Sequence, residues 1–562
     1  MSNMEHQDIT TIFQEAKISR VDHLPIVTAF CKKLNLIETV NQLVPKQSGI
    51  EPGVVVQAMI LDTLSGRNPL YRLEEFFEQQ DTELLLGKKL PASQFNDSTV
   101  ARVMDACFEI GTMSIFSAIA LRAMDIFALD PKYAHFDTTS KNVHGEYLGD
   151  QEGIQITFGH SKDKRPDLKQ LIMHCLCVEG NIPILGDCED GNASDKTTNN
   201  KILTQVSKYM AQFGVQARAY IYIADSAMVT EKNLAKLGDD FFISRLPFTY
   251  KEADRVIQEA VAQGQWEEVG VLAQTQPTKN RPQAFYQVAE KEVTLHGKTY
   301  RAIVVHSSSH DKRRQKRMDR ELKKEKKALQ AEIKAASKKT YSCQEDAQQA
   351  AQHLEGTKSR YYSIQTTIVE EVRYFPGRPS HNTPRKVKER RYRVQAEIQK
   401  NHKAIQKRRE EAGCFVLISN VPHQGDMGHY AAEILKAYKE QHGVERNFGF
   451  LKDPMIVNAL FLKKPRRIEA LGLILLLSLL IWNLIERTLR KYVQQTGETL
   501  PGWDKKQTKK PTSFMMSTKF MGLQIACIRG HRYLADKLTK IQEKYLKALG
   551  LSPLIFTQPR PG

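Results

Sequence analysis

Along residues 21–130 apolar side chains return every three to four positions, the period of helices packed on one another. Val54–Leu64 reads as an apolar helix opened by Pro52 and Gly53, and Arg72–Phe77 lies in a second, shorter one. Asn96, Asp97 and Ser98 offer N-cap chemistry to a long helix running towards Met124. After Pro131 the pattern shortens to β-prone runs between turn residues: Tyr133–Phe136, Ile154–Phe158, Leu171–Val178 and Ile182–Leu185. A helix over Asn199–Phe213, a strand over Ala219–Ala224, a helix near Thr230–Leu237 and a strand over Phe241–Ser244 are expected next, with Phe415–Ser419 as a further buried strand. Strands followed by alternating strands and helices predict an α/β core.

A block of different texture separates the last two strands. It opens with strand-like pieces at Val288–Leu295 and Tyr300–Val305, then becomes the basic run Lys312–Lys327, continuing as helix to about Lys338. Tyr361–Phe375 alternates like a strand, and Lys386–Arg409 is basic again. Ile468–Tyr492 reads as a strongly apolar helix with a basic end, followed by a basic linker, Lys505–Lys510, and two helices, Thr512–Arg529 and Arg532–Leu549. The expected organisation is a tail (1–20), a helical DNA-binding or interaction domain (21–130), the first part of a core (131–246), an insertion (247–412), the second part of the core (413–492) and a C-terminal linker with helices (493–562). The turn Ser65-Gly66-Arg67-Asn68 would suit a DNA-binding pair of helices, and a helical dimerisation module fits the same pattern.

Composition sharpens the choice of partner. The 562 residues allow several domains, and 82 Lys and Arg against 64 Asp and Glu leave a formal charge of +18. Such an excess favours a polyanion, nucleic acid first, because phosphate contacts release condensed counterions. Each basic run taken alone is ordinarily a solvated face; two of them in a basic chain put DNA-backbone contact on an equal footing. No lipidation motif or amphipathic anchor is present, so no membrane partner is expected. The start of the chain, MSNMEHQDITTIF, lacks a basic-then-apolar export pattern, and Ala470–Trp482 is too short for a span of ~20 residues. A cytoplasmic, nucleoid-associated protein is expected. Eight scattered cysteines fit a reducing compartment. His174, Cys175, Cys177 and Cys188 lack a standard zinc spacing and read as buried packing residues.

The chemistry gathers at three places. Asp137 closes the run YAHF and Asp225 closes YIYIA, so both carboxylates are expected just past strand ends, where α/β ligands bind. Tyr438, Gln441, Glu445 and Lys452 are spaced to share one face of a single helix. Each aspartate alone reads equally as a cap or turn residue, and a polar stripe as a solvated face. Together, Asp137, Asp225 and Glu445 would supply three hard oxygen ligands with open positions, suited to Mg²⁺ or Mn²⁺. No phosphate-binding Gly-rich loop, HExxH or nucleophile elbow accompanies them.

These features resemble the DDE transposases of bacterial insertion sequences, in the superfamily whose signature is Tyr, two residues, Arg, three residues, Glu, six residues, Lys. Tyr438, Glu445 and Lys452 match that spacing, and Gln441 stands where the family has arginine. The likeness is strongest to the insertion-sequence-sixteen-thirty-four branch, through HSKDKRPDLKQ (160–170), ADSAM (224–228), FISRLP (242–247) and FLKKPRRIEALGLILLLSLLIWNLIER (461–487). The resemblance implies a ribonuclease-H-like catalytic core with a large mixed β/helical insertion, an all-helical domain before it and C-terminal helices after it. It implies two metal ions on Asp137, Asp225 and Glu445, and DNA contacts from Tyr438, Gln441 and Lys452. It also implies cleavage at terminal inverted repeats and joining of the 3′-hydroxyl to target DNA by a homodimer on the DNA. Gln441 can donate to a phosphate but cannot form arginine's bidentate charged pair. Lys162, Lys164, Arg165 and Lys169 would either touch DNA or line a solvated turn. A non-catalytic DNA-binding transposase relic and a nuclease without joining activity are the alternatives.

Overall fold

The computed structural model describes residues 16–46, 49–66, 72–147, 152–179, 181–273, 277, 283–377, 384–453 and 462–559. Most of the expected N-terminal tail, together with Arg67, Asn68 and Phe461, lies outside them, as do the side chains of residues 309–314, the start of the first basic run, and that of Lys505, the first residue of the expected linker. The chain divides into two compact units: residues 1–244 with 424–428 and 437–562, and residues 245–423 with 429–436.

The first unit opens with strand β1 (Lys17–Arg20) and the helices α1 (Leu24–Lys33), α2 (Leu36–Leu43), α3 (Pro52–Leu64), α4 (Leu73–Glu78), α5 (Thr82–Leu86), α6 (Asp97–Ile110) and α7 (Thr112–Phe127). Pro52 starts α3 because the first helical turn needs no amide donor there. Gly53 lets α3 approach α2, since a Cβ on it would meet the Ile37 carbonyl oxygen at 2.2 Å. The single long helix expected from Asn96 to Met124 is two helices. Gly111, at φ 97° and ψ 115°, breaks it by 85°, in a conformation that side-chain-bearing residues rarely adopt.

Five strands then build a mixed sheet: β2 (Tyr133–Val143), β3 (Lys169–Val178), β4 (Ile182–Glu189), β5 (Ile221–Ala224) and β6 (Phe241–Arg245), with α8 (Asp195–Gln212) and α9 (Glu231–Leu237) between them. The order is β4-β3-β2-β5-β6. The β4-β3-β2 meander is antiparallel, and β5 and β6 continue it in parallel with β2. The strand expected at Ile154–Phe158 is absent; only Thr157 bridges to Gln170. Asp190 holds the segment instead, by accepting from the Gln155 amide.

The second unit holds α10 (Lys251–Gln263), β7 (Glu267–Val271), β8 (Phe285–Leu295), β9 (Lys298–Ser307), α11 (Ser308–Ser337), α12 (Gln344–Glu355), β10 (Tyr362–Tyr374), β11 (Val387–Lys400), α13 (His402–Ala412) and β12 (Cys414–Ser419). Its sheet runs β12-β9-β8-β7, antiparallel throughout. A separate ribbon, β10 with β11, packs on α11 and α12 around Met318, Leu329, Leu354, Tyr362, Ile364 and Val394.

Helix α14 (Ala431–Lys439) leads to the closing stretch of the first unit: α15 (His442–Lys452), α16 (Pro465–Thr496), the short pair β13 (Leu500–Pro501) and β14 (Gln507–Thr508), α17 (Ser513–Phe520), β15 (Gln524–Ile528), β16 (His531–Leu534) and α18 (Lys540–Leu549). The two C-terminal helices expected from sequence are shorter, because a hairpin replaces residues 524–534. Arg529 at φ 50° and Gly530 at φ 81° supply the two left-handed residues of a tight turn, and β1 adds a third strand beside β15. Arg532 fastens the hairpin to α5 through Asp81 at 2.6 Å and Glu83 at 2.8 Å.

Helix α16 is the mast of the first unit. It packs against α1, α3, α6, α7, α18 and β4, and Arg466 and Arg467 bind Asp105 of α6. Among the described residues it is the one single helix long and apolar enough to cross a membrane, since it extends well beyond the apolar run Ala470–Trp482. The most apolar window is 94% buried inside the protein, as a core helix is. Each of its fully buried leucines contributes roughly 1.5–3 kcal/mol.

Candidate metal and nucleic-acid site

The parallel register of β2 and β5 pairs Tyr133 with Ile221, Ala134 with Tyr222 and His135 with Ile223. Asp137 and Asp225 each follow the last of these pairs by two residues, and the Asp225 charge is felt at the Asp137 carboxyl. Asp225 lies just past the end of β5, as the sequence predicts, and caps a short turn by accepting from the Ala227 amide at 3.0 Å. Ser244 of β6 donates to the Asp225 carbonyl oxygen at 2.8 Å and fixes its backbone. Asp137 differs from expectation: β2 runs on to Val143, so this carboxylate sits within the strand. The run YAHF ends at Asp137 only in its apolar character, because Thr138, Thr139 and Ser140 continue the ladder with β3.

Desolvation dominates the electrostatics here. It pushes the Asp137 carboxyl up to about 7; Lys162 and the Thr138 amide pull it down, and the charges of Asp225 and Asp195 add to the rise. Asp225 is raised for the same first cause, with Asp195 next. Asp195, in the first turn of α8, is the member that sequence reasoning missed; its position after Ser194 marked it only as a helix start. Thr138 donates to Asp195 at 2.6 Å, and the Lys162 ammonium lies 3.7 Å from the same oxygen. Lys162 also donates to the Thr138 carbonyl oxygen at 2.6 Å and to its hydroxyl oxygen at 2.7 Å. It is therefore the cation of the carboxylate cluster, reaching in from an exposed turn. Arg165 is held by Asp167 at 2.6 Å, and Lys169 by the carbonyls of Glu146 and Tyr147.

The stripe from Tyr438 to Lys452 is not one helix. Tyr438 lies in the last turn of α14, Gln441 is the N-cap of α15, and Glu445 and Lys452 lie on α15. Between them the Gln441, Gly443 and Val444 amides bond three residues back, tightening the chain at the junction of the two helices. Tyr438 is half-buried. The Gln441 amide nitrogen reaches the Phe136 carbonyl oxygen, next to Asp137, at 3.5 Å. The Lys452 ammonium is bound to Asp163 at 2.6 Å. Glu445 is 61% exposed, and one of its oxygens lies 3.0 Å from His442 Nδ1.

What seats α15 is an amide network. Asn447 donates to the Asn181 carbonyl oxygen at 2.7 Å and to Cys177 Sγ at 3.3 Å; Asn483 of α16 donates to the same carbonyl at 2.8 Å and to Asn447 Oδ1 at 2.9 Å. Asn447 and Asn483 are 2% and 6% exposed, which fixes the face of α15 that looks inward and leaves Glu445 on the other. Cys175, Cys177 and Cys188 are buried free thiols, each raised by desolvation.

Asp137 and Asp225 fit a divalent cation: two desolvated carboxylates side by side, carrying negative charge that one lysine offsets. Among the described residues no three His, Cys, Asp or Glu side chains converge closely enough to hold an ion. Glu445 is thus not gathered with the aspartates in this arrangement.

Residues 16–121 match a family described as a domain of unknown function, DUF4277, a domain found in transposase-like proteins. No curated protein matches the chain.

Proposed function

We propose that the protein is a DNA transposase of the DDE type, with a ribonuclease-H-like core, from the superfamily with the Tyr-Arg-Glu-Lys signature and its insertion-sequence-sixteen-thirty-four branch. The observation that carries this reading is the placement of Asp137 in β2 and of Asp225 just past the end of its parallel neighbour β5, near enough to raise the Asp137 carboxyl, with both carboxyls raised first by burial. The order β4-β3-β2-β5-β6, the segment 245–436 lying between Asp225 and Glu445, and the DUF4277 match support it.

Asp137 and Asp225, with Glu445 from α15 as third ligand, would hold magnesium or manganese. Two such ions supply activation of the attacking water or 3′-hydroxyl and stabilisation of the leaving oxygen at a phosphodiester. The chain's own residues prepare that site. Ser244 and the Ala227 amide hold Asp225 in place, and Thr138 and Lys162 hold Asp195 where its charge acts on both aspartates. Gln441 lies against the strand that bears Asp137, where its amide would donate to a phosphate, and Tyr438 and Lys452 flank it along the chain. Terminal inverted repeats and target duplex would be the substrates, bound by a homodimer so that each subunit acts on one end.

The test is strand transfer with Mg²⁺ on a pre-cleaved terminal-repeat duplex. Joined product from the wild type, absent with Asp137→Ala and with Glu445→Gln, is expected; full joining by either variant refutes the assignment. The outward position of Glu445 favours one rival, a non-catalytic DNA-binding relic. That rival predicts no joined product from the wild type and unchanged DNA affinity when all three carboxylates are removed. A nuclease would cut but leave no joined strands.

A further inference from the structure

Helix α11 separates its charges by face. At 100° per residue, Lys316, Arg320, Lys323, Lys327, Lys334 and the C-cap Lys338 fall within about 60° of arc. Met318, Leu322, Leu329, Ile333 and Ala336 lie on the opposite side and pack into the core of the second unit. The helix's described acids are all engaged away from the basic stripe. Glu321 pairs with Arg317, Glu325 accepts from Ser359 and the Arg360 amide, Glu332 accepts from Thr357, and Asp319 lies 3.9 Å from Arg409. The six cations are exposed, and among the described residues none makes an ion pair; Arg320 donates only to the Lys316 carbonyl oxygen.

The other basic run is different. On β11, Arg390 is paired with Glu370 at 2.9 Å, Arg391 with Glu389 at 3.2 Å and Arg393 with Glu371 at 3.3 Å; on α13, Arg408 is paired with Glu411. Similar composition thus gives a ribbon whose arginines are paired in one place and an unpaired cation track in the other.

From Lys316 to Lys338 the track is about 33 Å long at 1.5 Å per residue. That is about one turn of B-form duplex, roughly 34 Å, over which the phosphates carry a charge every ~1.7 Å. We propose that the outward face of α11 binds the phosphate backbone of double-stranded DNA without reading its sequence. Flexible lysines suit this task, because they meet phosphates as point charges and carry no bidentate geometry. The choice of DNA among polyanions rests on the transposase reading; the charge track itself does not.

The test is the salt dependence of binding of the full-length protein to a random-sequence duplex. Six contacts contribute a slope of about −5 to log K against log salt. The variant K316Q/K323Q/K327Q/K334Q is expected to lower the slope by about 3–4 and the affinity at ~0.1 M salt by at least about 100-fold, equally on all sequences. Arginine at the same four positions should restore both. R390Q/R393Q, which removes paired cations, should change the slope by less than about one. An unchanged slope in the quadruple variant, or an equal loss in R390Q/R393Q, overturns the proposal. So does binding to anionic phosphatidylserine vesicles that the quadruple variant loses while it keeps the duplex. Asp137→Ala should keep the wild-type slope, so failure of the catalytic reading and failure of the track are seen in separate assays.

Discussion

Replacing Asp137 by asparagine isolates the cost of charging the buried pair. The carboxyl is raised from 3.8 to about 7, chiefly by desolvation. Because the folded-state value is raised, its contribution to stability is fully present below the unfolded value near 4 and is lost as pH climbs through 7. At ~1.4 kcal/mol per pH unit the full loss is about 4 kcal/mol, of which roughly 3 kcal/mol falls between pH 5 and pH 8. Asparagine keeps the shape and still accepts from the Thr138 amide, but it has no charge to form beside Asp225. Thermal unfolding of the full-length protein in a chelating buffer is the assay. The midpoint of Asp137→Asn relative to wild type should rise by a few degrees more at pH 8 than at pH 5. A gap of the same size at both pH values would falsify the claim that Asp137 is held in a desolvated pair.

Two further predictions concern the same unit. Glu469, which shares Thr112 with Asp187, is raised to about 7 by burial first and by Asp187 second. Its contribution is likewise lost as pH rises from about 4.5 through 7, so Glu469→Gln should stabilise the protein by about 1–3 kcal/mol at pH 8 and little at pH 4; urea unfolding at the two pH values decides it. A Cβ on Gly472 of α16 would stand 2.3 Å from Cys188 Sγ, so Gly472→Ala should cost about 1–3 kcal/mol, and Cys188→Ala in the same chain should recover at least half. Additive single and double variants would rule that contact out.

Much of the site could be read before the fold because it rests on local signals. The apolar runs ending at Asp137 and Asp225, and the turn after Asp225, are short-range features. Three others were not legible, each for a physical reason. Gln441 keeps right-handed helical angles, φ −53° and ψ −20°, and Gly443 takes no positive φ, so the polar period passes through the break between α14 and α15. Asp195 joins the cluster only through Thr138 and Lys162, which long-range pairing brings to it. Residues 524–529 and 532–534 carry an apolar spacing that suits helix and strand alike, and the Arg529-Gly530 turn decides for a hairpin. The basic runs were indistinguishable as composition; acids placed across a ribbon or along a helix separate them.

The mast α16 has a consequence for how this protein is made. Helices α1, α3, α6 and α7 all rest on it, yet some 340 residues of chain separate the end of the matched N-terminal domain from Pro465. At about 5–20 residues per second the ribosome needs roughly 20–70 s to cover that distance. Throughout that interval α3, which is buried along its whole length in the finished protein, lacks one of the surfaces it packs on. The nascent N-terminal helices thus expose apolar surface until α16 emerges, which is when a chain is most open to aggregation and proteolysis.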